Sequence, residues 1–316
     1  MIQAGGRAVD TLRDTAFFAH ELERLGYRRL WYAEHHHQAS VGAFPPVVLT
    51  AHSAASTSVI RLGSGGVLAP NHASLLLAEQ FGTLAALHPG RIDLGIGRGP
   101  GTFHEATARS LRRGASPATD AEYRHDVADI LSLLVDEVGL EPLPEPWLLA
   151  SSATGAVLAA ELGLPIAFAH HLRPHNTAEA LKRYRAAFTA SRWCERPQVL
   201  LCVLAVCAET EEEATRLVGP FNVFRDAIPK GTAGDFPFLA PADAAAHPFT
   251  DEERAVLADF GAQQAIGTPE KVARRLTQLA GEMEADELML FTPVHDPRAR
   301  ARSYELVKKH FAATIG

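Results

Sequence analysis

The feature that most constrains this chain is the stretch Gly63–Thr102, GSGGVLAPNHASLLLAEQFGTLAALHPGRIDLGIGRGPGT. It opens on a strand end, with Ile60 and Leu62, then glycines, then Val67 and Leu68. After the loop Ala69-Pro70-Asn71-His72, Leu77, Phe81 and Leu84 recur at i, i+4 and i+7, one face of a helix. Pro89-Gly90 stops that helix. Residues 91–97 then read as a short buried strand ending in the turn Arg98-Gly99-Pro100-Gly101. The polar and glycine residues gather behind each strand. In a parallel α/β protein that is the end where sites are built.

The rest of the chain repeats the alternation. A helix spans about Val9 to Leu25, with Leu12, Ala16, Ala19 and Leu22 on one face and Gly26 as its cap. A strand follows over 29–33, and Pro45-Pro46 starts the next helix. Residues 103–139 are helical in pattern, with a break at Gly114 to Pro117. Further strands are expected at 147–150, 165–169, 199–206 and 287–291, with helices at 177–192, from Glu211, from Thr268 and at 298–313. Seven strands alternating with helices predict a parallel sheet. Residues 219–262 lack a period and are too long for a casual connection. Phe221, Phe224, Phe236 and Phe238 make that segment sticky, so a lid or pocket wall, or an oligomer contact, is expected of it.

Composition bounds the function. With 47% hydrophobic and 21% charged residues, the chain carries a full globular core. A net charge of −7 without a basic stripe argues against a nucleic-acid surface. No apolar run is long enough to cross a bilayer, and the N-terminus shows no signal-peptide core. Cys194, Cys202 and Cys207 form no CxxC, and two of them lie on an apolar strand as buried thiols. The cytoplasm is the default expectation.

Several residues behind strands carry chemistry. Arg98, between Gly97 and Gly99, suits a phosphate through a bidentate charge-assisted contact, or equally an ion pair with a helix residue. Ser151, Ser152 and Thr154 stand at a strand-to-helix turn, where they cap the helix and can also bind an anion. Glu34, His35 and His36 follow a strand. Adjacent residues there point to different sides and no second ligand set is visible, so a metal is not expected. Asn71 is either a helix cap or, with His72, a polar edge for a ligand. His170 and His171 either line a pocket or pack.

The segment AEQFGTLAALHPGRIDLGIGRGPGT, together with WYAEHH at 31–36, resembles the bacterial-luciferase-like flavin-dependent monooxygenases, and within them the single-chain-type subgroup. The resemblance runs from about Gly5 to the C-terminus and implies one (β/α)₈ TIM barrel over 1–316, with 219–262 as an insertion. That barrel needs a strand before the first helix, and the strand is missing from this N-terminus. The resemblance implies an FMN phosphate on Arg98, with Gly97, Ser151, Ser152 and Thr154 around it. The luciferase subunit has Glu-Ser where this chain has Ser-Ser, so Ser152 carries over more directly than Ser151. It places His35 beside the reactive part of the flavin with Glu34 as orienting partner, Asn71 and His72 at the ring edge, and His36, His170 and His171 around the substrate.

The implied reaction is monooxygenation of a small organic substrate by FMNH2 and O2 through a flavin C4a-hydroperoxide. A separate NAD(P)H:flavin reductase supplies the reduced flavin, consistent with the lack of a GxGxxG opening a helix behind a strand. A homodimer is implied on the same ground. The alternatives are F420-dependent hydride transfer on the same fold, a metal-dependent barrel hydrolase holding zinc or a similar ion, and a flavin-binding or assembly protein without catalysis.

Overall fold

The computed structural model describes residues 6–41 and 45–315. Residues 1–5, read from the sequence as the loop after the missing first strand, lie outside the described residues, as do 42–44. The strands are β1 (Arg29–Tyr32), β2 (Arg61–Ser64), β3 (Val67–Leu68), β4 (Ile92–Gly97), β5 (Glu145–Ala150), β6 (Ile166–Phe168), β7 (Val199–Cys207), β8 (Ala265–Gly267) and β9 (Glu287–Phe291). Every pair is parallel, in the order β1-β2-β4-β5-β6-β7, with β9 beside β7 over Leu200–Leu204 and β8 beside its last residues Ala205–Cys207. Helices follow the strands, giving the curled sheet of a TIM-barrel-like α/β fold. The all-apolar run VLLCVLAVC suits β7, which is buried along nearly its whole length between β6 on one side and β9 and β8 on the other.

The predicted helix face Leu77, Phe81 and Leu84 is buried as read. Close strand approach explains the glycines: a Cβ on Gly95 would lie 2.0 Å from the Ser64 carbonyl oxygen. The expected strand around 60–68 is split into β2 and β3, and β8 was not anticipated. The segment 219–262 is largely ordered, which corrects its aperiodic reading. The helix Glu211–Ala227 runs straight through Pro220, keeping Ala214, Leu217, Val218 and Phe221 on one buried face. A proline forfeits only one backbone hydrogen bond there, and burial of that face outweighs the loss. A second helix, Asp251–Ala262, starts on a Thr250–Glu253 capping box.

Among the described residues no strand lies between β1 and β9, and the chain opens on the helix Ala8–Arg24. Side chains bridge this seam. Arg29 of β1 donates to both oxygens of Glu287 on β9, at 2.8 and 3.0 Å. The Tyr27 hydroxyl donates to the Tyr304 carbonyl at 2.8 Å, and the Phe18 and Tyr304 rings meet at 5.6 Å.

The N-terminal end of the barrel is filled by charge. Asp93 of β4 is fully buried and accepts from Arg29 at 2.8 Å, from Trp31 Nε1 at 2.7 Å and from Arg61 Nε at 2.8 Å. Arg61 also reaches Glu145 of β5 at 2.8 Å. Five strands are thus tied by one satisfied network.

Candidate active site

The strands open at their C-terminal ends into a cavity of about 1530 Å³. It extends sideways toward the seam, where Thr11, Thr15 and Phe18 of the first helix form its wall. Two loops at the strand ends are locked together by one carboxylate. Glu34, behind β1, accepts from the backbone of Leu68 at 2.9 Å, from His72 at 2.9 Å and from His36 at 2.8 Å, with Asn71 at 3.4 Å. Burial alone would raise this carboxyl, but hydrogen bonds from His72 and His36 hold it down at about 2. The loop behind β4 joins through Gly101, whose carbonyl accepts from His36 N at 2.7 Å. Gly101 has φ +72°, and a Cβ there would lie 2.5 Å from Leu68 Cδ1.

That knot redistributes the histidines. His36 and His72 are engaged by Glu34, and His37 pairs with Thr107 at 2.9 Å. None of His36, Asn71 and His72 lines the cavity, contrary to the expectation that they face a ligand. The physical reason is Glu34, a nearly inaccessible anion that needs donors from every side. The hydrogen bonds of Glu34 go to His36 and His72, not to His35, so it fixes the loop that carries His35 without bonding its ring. His170 also turns away from the cavity. It is buried between Thr177 at 2.8 Å and the Gln263 carbonyl at 2.9 Å, and it packs.

His35 and His171 do line the cavity. Burial pushes His35 down to about 4, and its Nδ1 is buried without a hydrogen-bond partner. Burial likewise pushes His171 down to about 4, against a hydrogen bond to the Cys202 carbonyl at 3.3 Å. Both rings are therefore neutral at pH 7. With Nδ1 of His171 donating to Cys202, its Nε2 carries a lone pair. Gln38, only three residues past His35, adds an unpartnered buried Oε1 at the same wall. Sequence reasoning passed over Gln38, although its place at the end of the EHHHQ run marked it.

Gly97, Arg98, Ser151, Ser152 and Thr154 converge on another part of the wall, from the ends of β4 and β5. Ser152 caps the helix Ala153–Glu161, accepting from Gly155 N at 3.3 Å. Arg98 is about half exposed, paired with Asp120 and donating to the Ala118 carbonyl at 2.6 Å. The cap and the ion pair are both present, and they stand at the wall of the large cavity.

The sequence profile of the luciferase-like monooxygenases matches residues 1–283. The chain belongs to this family. The luciferase-like monooxygenase of Escherichia coli (strain K12) is 36% identical over 320 residues, covering 96% of this chain and 92% of the relative. Among solved structures, apo-MsnO8 is 35% identical with a TM-score of 0.89, covering 98% of this chain and 96% of that one. The FMN complex of the oxygenating constituent of 3,6-diketocamphane monooxygenase from Pseudomonas putida has a TM-score of 0.73 at 21% identity, over 98% and 94% of the two chains, and shares the fold. Among the described residues of this luciferase-like chain, no helix is long and apolar enough to cross a membrane.

Proposed function

We propose that this luciferase-like protein is the oxygenase of a two-component system, taking FMNH2 from an NAD(P)H:flavin reductase and using O2 to oxygenate a small organic substrate. The observation that carries the reading is the neutral His35, with a buried Nδ1 that has no partner, at the wall of a cavity of about 1530 Å³. An orphaned buried imidazole nitrogen is costly unless a bound molecule meets it. The same fold holds FMN in the Pseudomonas putida oxygenating constituent. Three free cysteines fit a reducing cytoplasm.

FMN fits the residues present. Arg98, the Ser152 and Thr154 hydroxyls and the free N–H groups of the helix beginning at Ala153 would hold its phosphate. Asp120, at 68% side-chain exposure, is a weak competitor for Arg98, so a dianion can displace it. When bound, reduced FMN supplies the activation of O2. The chain's residues supply the rest. His35 Nδ1 accepts or holds a proton at the reacting edge, and its depressed basicity keeps it a neutral hydrogen-bonding group there. His171 Nε2 faces the same space as an acceptor. Glu34 fixes the loop carrying His35, and Leu200, Met289 and Phe291 keep that end of the cavity apolar and low in water.

The test is an anaerobic titration with FMNH2 and, in parallel, with reduced F420, followed by admission of O2. Binding of FMNH2 with reoxidation slower than that of free FMNH2 is expected, and His35→Gln should bind FMNH2 nearly as well while forming less oxygenated product. Uptake of F420 alone would replace the oxygenase reading by hydride transfer.

A further inference from the structure

One cation on the cavity wall has nothing to neutralise it. Arg225 stands in the last turn of the helix Glu211–Ala227 and lines the cavity. Its guanidinium stacks 3.4 Å from the centroid of Phe260, and among the described residues it has no carboxylate in ion-pair range and no hydrogen-bond acceptor. Other arginines of the same cavity differ. Arg98 is paired with Asp120, Arg124 with Glu161 and Arg183 with Glu179, while Arg300 feels the attraction of Asp14 and Asp296. The charge that Arg225 feels is that of Arg173, a like charge, and burial and this neighbour together lower its pKa. A half-buried guanidinium with five donors and no acceptor is an anion site waiting for its anion.

The surroundings say what kind of anion. Phe224, next to Arg225, and Phe221, one turn before it, stack at 6.2 Å, Phe221 meets Phe291 at 5.6 Å, and Phe291 meets His171 at 5.0 Å. An aromatic track therefore leads from the guanidinium to the neutral histidines. We propose that Arg225 receives the carboxylate of an amphipathic substrate whose apolar body lies along Phe224, Phe221 and Phe291, presenting its far end to His171 and His35. The inference rests on the oxygenase reading of the cavity and adds to it the substrate class: an apolar monocarboxylate. The guanidinium fork suits a carboxylate bidentately, and Phe260 holds its plane without competing for its donors.

The experiment measures binding of octanoate and of octanol by calorimetry, to the wild type, Arg225→Leu and Arg225→Lys. FMNH2 affinity is titrated on the same samples. Octanoate should bind the wild type about tenfold or more tighter than octanol, since a charge-assisted pair in a sheltered site is worth at least that factor. Arg225→Leu should abolish the preference while leaving octanol and FMNH2 affinities unchanged. Arg225→Lys should retain part of it, because the charge remains without the fork. Melting of Arg225→Leu should be no lower than that of the wild type, since an unpaired charge has been removed. Equal affinities, binding of neither probe, or a preference that survives in Arg225→Leu overturns the proposal. So does loss of FMNH2 binding in Arg225→Leu, which would assign the guanidinium to the cofactor phosphate. A preference for octanoate that depends on Arg225, in a wild type that takes up no FMNH2, would uphold the anion subsite and remove the oxygenase reading instead.

Discussion

The two ends of the barrel handle buried polarity in opposite ways. At the N-terminal end, Arg29, Arg61, Asp93, Glu145 and Glu287 satisfy one another across five strands. At the C-terminal end, His35 Nδ1 and Gln38 Oε1 are left without partners and Arg225 without a counter-charge. The first arrangement holds the sheet together, including the seam between β1 and β9. The second stores unsatisfied groups around a cavity, where a bound molecule can meet them. Glu34 stands between the two cases, since it is fully satisfied yet sits at the cavity end, where it makes the loops rigid.

The largest expected effect comes from breaking the satisfied end. Asp93→Ala leaves Arg29, Arg61 and Trp31 facing an empty site, and unfolding in denaturant should show a loss of about 3–5 kcal/mol. A loss near zero would mean that the network contributes no net stability and that seam packing alone closes the barrel.

The next effect belongs to the cavity end and appears with pH. His35 and His171 have folded-state values near 4, below the ordinary 6.5, so the unfolded chain binds their protons first as acid is added. Their contribution is complete above about pH 6.5 and is lost as pH falls toward 4, roughly 3 kcal/mol for each ring at most. Glu34 follows only at lower pH, between its ordinary value of 4.5 and about 2. Stability measured at pH 7 and at about pH 5 should therefore differ, and replacing both histidines by glutamine should flatten the difference. An unchanged slope in that double variant would show the two rings to be solvated.

The smallest effect on the fold, and a specific one on binding, is expected of Arg98→Ala. Its pair with Asp120 is exposed, so melting should hardly move. FMN affinity should fall about tenfold to a hundredfold, the range for one charge-assisted contact. An unchanged affinity would remove Arg98 from the phosphate site and leave only the surface ion pair.

The seven barrel strands were legible because their apolar runs and terminal glycines are local signals, as in VLLCVLAVC and in RIDLGIGRG. The convergence of Gly97, Arg98, Ser151, Ser152 and Thr154 was also legible, since parallel strands deliver whatever follows them to one end. The continuation of a helix through Pro220 was not, because a proline reads as a stop and only the burial of Ala214, Leu217, Val218 and Phe221 overrides it. The charge at Asp93 was visible inside an apolar strand, but its partners come from two other strands, and the network they join reaches two more. The histidine cluster was visible too, yet its sharing out was hidden. Glu34 draws His36 from its own loop and His72 from another, and which ring remains free depends on where that carboxylate lies.

By itself the sequence determined the parallel α/β barrel, the end at which the cavity opens and the family. These follow from periodicity and from a contiguous motif, which are properties of neighbours along the chain. Tertiary structure alone decided that His35 and His171 face the cavity while His36, His72 and His170 do not, and that Arg225 stands there unpaired among the described residues. Those outcomes turn on which distant donors and acceptors satisfy one another. Hydrogen bonds and ion pairs are short-ranged, so their pairing is fixed only when the folded chain brings residues far apart in sequence to within about 3 Å.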